Sequence, residues 1–86
     1  MYLFLVSQSV NYGYDTYDSF VVVAENEDDA RNTSPRFEKG DTKPPDWEEE
    51  VRWGWVTIAD VSVKLLGKAA DRFIEKEVIC ASFHAG

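Results

Sequence analysis

Three short runs of this chain are apolar on both of their alternating sides, and no other feature constrains the fold as much. Residues 2–10 place Tyr2, Phe4 and Val6 on one side, Leu3 and Leu5 on the other. Residues 19–24 (SFVVVA) and 77–86 (EVICASFHAG) repeat the pattern with valine, isoleucine and small residues. Runs of this kind read as strands buried on both faces. They must be accommodated in 86 residues, and a chain of that size buries only about 60% of the surface its unfolded form exposes. The expectation is one α+β domain over residues 1–86, with room for a single core.

The remaining segments fill in that domain. Residues 60–69 (DVSVKLLGKA) set Val61, Val63 and Leu65 against Ser62 and Lys64, the alternation of a half-buried strand. Asn26 is a good helix N-cap, and Glu27, Asp28 and Asp29 follow where a helix start favours negative charge. Asp29 also stands where a capping-box partner would. That short helix must stop before Pro35. Residues 33–53 have no period, and Gly40 with Pro44 and Pro45 mark a long irregular loop, of a length usually functional or mobile. Within it, Asp46 to Glu49 offers one turn of helix with Asp46 as its cap.

The sum is a small, mainly antiparallel sheet of about four strands with one short helix. The strands at residues 2–10 and 19–24 should pair directly, and the run at 77–86 is the candidate central strand. One helix covers only part of one face. The segment carrying Trp47, Trp53 and Trp55 is the expected cover for the other, with a homodimer as the runner-up.

Composition limits function. Aromatic residues make up 14% of the chain, against disorder, and the net charge is −7. Residues 11–50 hold twelve acids and four bases, a net −8, while residues 51–86 are at +1. A phosphate backbone is repelled by such a half, so direct nucleic-acid binding is not expected; a basic protein surface is attracted. The single cysteine, Cys80, allows no internal disulfide and fits a reducing cytoplasm. The N-terminal run lacks the basic residues and length of a signal peptide, and no run reaches the roughly 20 apolar residues of a membrane span.

Candidate chemistry is sparse. Cys80, Ser82 and His84 share a strand face, but Cys80 and His84 would lie about 13 Å apart along an extended strand, too far for a nucleophilic pair. Cys80 then reads as a small core residue. The acids lack calcium-loop spacing, one histidine makes no zinc site, and five scattered glycines make no phosphate loop. No catalytic residue, cofactor or metal is expected. Binding residues are more plausible. Asn11, Tyr12, Tyr14, Asp15, Tyr17 and Asp18 mix rigid amphipathic rings with adaptable polar groups, as recognition surfaces do. The plainer reading of that stretch is a polar turn, with Asn11 and Asp15 bonding their own backbone and Gly13 supplying the bend. Glu27, Asp28, Asp29, Glu48 and Glu49 would form an acidic face, with Trp47 as its anchor.

The stretches YDTYDSFVVVAENEDDAR, LLGKA and VICASFHAG resemble a group of small proteins encoded in bacteriophage and prophage genomes. The resemblance covers both ends of the chain and not its middle, and His84 stands where asparagine would be expected. It implies a genomic setting and no mechanism. Small acidic phage proteins often block host enzymes or bacterial immunity, as anti-CRISPR proteins do. The resulting expectation is a non-enzymatic inhibitor in the host cytoplasm that binds a basic surface of a host defence protein. The alternatives are a sponge for a signalling nucleotide, its tyrosines stacking a base beside Lys64, Lys68 or Arg72, and a virion-accessory protein.

Overall fold

A computed structural model describes residues 1–11 and 13–84. The chain forms β1 (Tyr2–Ser7), β2 (Thr16–Ala24), α1 (Glu27–Arg31), α2 (Trp47–Arg52), β3 (Ser62–Lys68) and β4 (Glu77–His84). The four strands make one open antiparallel sheet in the order β3-β1-β2-β4, giving a small α+β fold with two short helices.

β1 and β2 pair directly, from Tyr2 opposite Ala24 to Ser7 opposite Ser19. Cross-strand partners share a face, so this register sorts the apolar residues. Phe4 with Val22 and Val6 with Phe20 form one side, and they join Ala24, Ala30 of α1, Trp55, Val56 and Val61 in the core. Leu3 with Val23 and Leu5 with Val21 form the other.

The helices follow their caps. Asn26 Oδ1 accepts from the Asp29 N–H at 2.8 Å, and Asp29 reaches back to the N–H of Glu25 at 3.3 Å, one residue earlier than a regular capping box. α1 ends at Arg31, well short of Pro35, because the Thr33 hydroxyl donates to the Asp29 carbonyl at 2.7 Å and the Asn32 amide side chain to that of Asp28 at 2.8 Å. The first satisfies a carbonyl that the Thr33 N–H of a continuing helix would take, and the second adds to the Asn32 N–H already on Asp28. Asp46 caps α2 through the Glu49 N–H at 3.4 Å, so the single turn expected there is a helix of six residues.

Three expectations need correction. β4 is an edge strand, not a central one. Cys80 is exposed and not a core residue, since it lies opposite Val21 on this edge strand and on the face away from the core. The tryptophan-bearing segment does not cover the second face either, because Trp55 packs beside α1 on the first. The second face carries half-buried Leu3, Leu5 and Val21, buried Val23, and exposed Lys64 and Cys80. Among the described residues no helix is long and apolar enough to cross a membrane.

Candidate functional site

The loop between β1 and β2 is organised by Gln8, which is buried. Its Nε2 donates to the carbonyls of Asn11 and Tyr17 at 2.7 and 2.9 Å, and its Oε1 accepts from the N–H groups of Val10 and Asn11, both at 2.8 Å. One side chain thus satisfies four backbone groups that the turn would otherwise leave open. Asn11 adds a long bond from Nδ2 to the Trp55 carbonyl at 3.5 Å, and the Thr16 hydroxyl donates to the Gly13 carbonyl at 2.6 Å. Asp15 takes the left-handed conformation at φ 59°. The polar part of the loop therefore builds a turn. Gln8→Leu, which keeps the bulk and removes every bond, is expected to destabilise the protein by about 2–4 kcal/mol, since buried unsatisfied groups cost about 1–3 kcal/mol each and part of the loop can relax toward water. A urea titration would check it, with an unchanged midpoint contradicting the clamp.

The rings divide between roles. Tyr12 lies outside the described residues. Tyr14 is 74% exposed, with its ring edge-on to His84 at 5.7 Å. Tyr17 is half-buried against the core and meets Phe83 at 4.7 Å. Asp18 is exposed, and its carbonyl accepts from the Gln8 N–H at 3.1 Å.

The acidic candidates remain mostly at the surface. Glu27 pairs with Arg31 at 3.1 Å, Asp28 is exposed, and Asp29 bonds Lys76 at 3.1 Å. Glu48 and Glu49 are exposed on the first turn of α2. Glu49 also lines a cleft of about 420 Å³ with Glu38, Asp41, Asp46 and Glu50. Glu50 is buried; its Oε2 accepts from Arg36 at 3.3 Å, while among the described residues no group donates to its Oε1. Trp47, the expected anchor, packs half-buried against the core. Trp53 is the exposed tryptophan, at 56%.

Two arginines complete the neighbourhood. Arg36 lies over the Trp53 ring, 5.2 Å from its centroid. Arg36, Arg52 and Trp53 join Asp15, Tyr17 and Phe83 around a second cleft of about 400 Å³. Gly54 fixes this arrangement. Its carbonyl accepts from the Tyr17 N–H at 2.8 Å, and its φ of +101° brings its Cα against the Asp15 carbonyl. The end of α2 and the start of β2 are thereby locked together, and the Asp15 N–H bonds the His84 carbonyl at 2.6 Å to bring in β4.

The chain matches no protein-family model, no curated protein and no solved structure.

The clefts bring Asp15 and Tyr17 together in one place and Glu49 in another. The bases expected beside the tyrosines are elsewhere. Lys64 and Lys68 lie on β3, at the far edge of the sheet, and Arg72 lines a groove with Lys39, Phe73 and Glu77. Arg36 and Arg52 take that place, and neither they nor Trp53 and Phe83 stood among the expected site residues. For Arg52 and Trp53 the sequence signal is the RWG at 52–54, where a helix ends on an aromatic residue and a glycine; Arg36 and Phe83 carry none. Among the described residues no three histidine, cysteine or acidic side chains converge as metal ligands.

Proposed function

We propose that this protein acts by binding, as a non-enzymatic phage-type inhibitor that docks on the basic surface of a host defence protein. The observation that carries the reading is the pairing of exposed Trp53 with the acidic first turn of α2. Glu48 and Glu49 lie on the first turn of α2, whose C-cap is the exposed Trp53, and Glu49 lines the cleft in which Glu38, Asp41, Asp46, Glu49 and Glu50 outnumber Arg36, Lys43 and Lys76. The indole and the acids stand at opposite ends of one short helix, with Arg36 over the indole, an arrangement that suits a contact with an aromatic anchor and a charged rim. The net −8 of residues 11–50 would draw a basic partner in and speed the encounter. The host-defence setting rests on the resemblance of both ends of the chain to phage-encoded proteins.

The tagged protein, passed over bacterial lysate at low salt, is expected to retain one partner in stoichiometric amount. That partner should weaken at moderate salt, where screening shortens the reach of surface charge to about 10 Å or less. Retention of no partner at low salt would end this reading.

A further inference from the structure

We propose that the cleft between Trp53 and Phe83 is a binding site for a nucleoside monophosphate. The proposal goes beyond protein docking and stands on different residues, apart from Trp53. The cleft measures about 400 Å³ and is walled by Asp15, Tyr17, Arg36, Arg52, Trp53 and Phe83. That lies near the lower end of small-molecule sites, which span roughly 300–1,000 Å³, and suits one nucleotide better than a chain of them. Its walls are tied together before any ligand arrives, through the bonds of Tyr17 to Gly54 and of Asp15 to His84. A preformed frame reduces what binding must spend on ordering.

The chemistry of the lining selects the ligand. In a chain of net charge −7, two guanidinium groups line this one cleft, whereas three of the other seven bases are held by acids elsewhere. Arg31 is paired with Glu27, Lys39 with Glu75 and Glu77, and Lys76 with Asp29. Arg52 forms no ion pair or hydrogen bond among the described residues, and Arg36 gives Glu50 a single contact at 3.3 Å. Their free N–H groups form the fork that phosphate oxygens accept from. Phe83, 45% exposed, and the face of Trp53 (56% exposed) that Arg36 leaves open offer rings on which a base stacks. The Asp15 carboxylate is an acceptor for ribose hydroxyls or an exocyclic amine. A bare anion would leave the rings unused, and a neutral ring would leave both arginines unused. A polynucleotide is opposed by the twelve acids of residues 11–50.

The test is titration of the purified protein with AMP and GMP, following tryptophan emission and, in parallel, heat. Stacking on Trp53 is expected to quench emission saturably. Arg52→Ala should weaken binding about tenfold or more while leaving the melting temperature unchanged, as expected for removing a charge-assisted contact at an exposed residue. Trp53→Phe leaves a smaller ring to stack on, so it should lose most of the quench and weaken the binding followed by heat less than Arg52→Ala does. Arg72→Ala, in a separate groove, should change neither. Equal binding of inorganic phosphate would reduce the cleft to an anion site and overturn the proposal. Equal binding of adenosine or guanosine would remove the role of the arginines and overturn it as well. Absence of saturation with either nucleotide up to about 5 mM, weaker than the roughly −4 kcal/mol of a millimolar complex, would also reject it. Because no partner protein is present, this titration and the lysate experiment fail independently.

Discussion

Gly54→Ala is expected to destabilise the protein by about 2–6 kcal/mol, from a strained backbone and an overpacked contact of about 1–3 kcal/mol each. Gly54 sits at φ +101°, which L side chains rarely adopt, and an added Cβ would run into the Asp15 carbonyl and come within 3.0 Å of the Thr16 Cα. Both obstacles are backbone, so neither can rotate away. Total stability for a chain this long is roughly 4–13 kcal/mol, so the loss is a large share of it. At about 4–8 °C per kcal/mol, the melting temperature should fall by at least about 8 °C. Gly40→Ala is the matched control. It has a similar φ of +92° but nothing within 4 Å of an added Cβ, so only the backbone strain applies. If the two variants melt together, the α2–β2 junction is not packed as described.

Trp55→Ala is expected to cost about 3–5 kcal/mol, the range for emptying a large aromatic site in a core. Trp55 is fully buried, edge-on to Phe20 at 5.3 Å, and is the largest such side chain. Trp55→Phe should cost much less, about 1–2 kcal/mol. It keeps most of the apolar contact, and it deletes an indole N–H that no group among the described residues accepts. Denaturant titration of the three proteins would rank them as wild type, then Trp55→Phe, then Trp55→Ala. A Trp55→Ala variant as stable as wild type would contradict the position of this ring at the centre of the core.

What the sequence disclosed, and what it withheld, follows from the range of each interaction. Pairing of β1 with β2 was legible because both runs alternate in register, and Asn26 and Asp46 were legible as caps because capping acts over three residues. The place of β4 was not. An apolar strand looks central when both faces of the sheet are assumed to be covered, and here α1 and Trp55 cover the same one. Gln8 carries no local signal, since nothing near it in the sequence reveals that its amide bonds residues as far on as Tyr17. Of the binding candidates, Asp15 and Tyr17 reach a cleft, while Asn11 serves the turn. The arginines of that cleft were hidden for a simple reason: Arg36 and Arg52 come together only once α2 forms and Gly54 turns the chain. Which tryptophan stays exposed depends on the same turn, with Trp53 outside it and Trp55 inside.

The central claim is that the acidic, tryptophan-bearing surface of α2 docks on a basic partner. The most direct measurement compares capture of the lysate partner by wild type and by the Glu48→Lys/Glu49→Lys double variant across a salt series. Both side chains are exposed, so the double variant should fold, with a loss of about 1–2 kcal/mol from placing lysines in the first turn of α2, where negative charge is favoured. The account predicts stoichiometric capture by wild type at low salt, a decline as salt rises, and at least about tenfold weaker binding by the double variant, with a flatter salt dependence. Equal capture by both proteins at every salt concentration would contradict it.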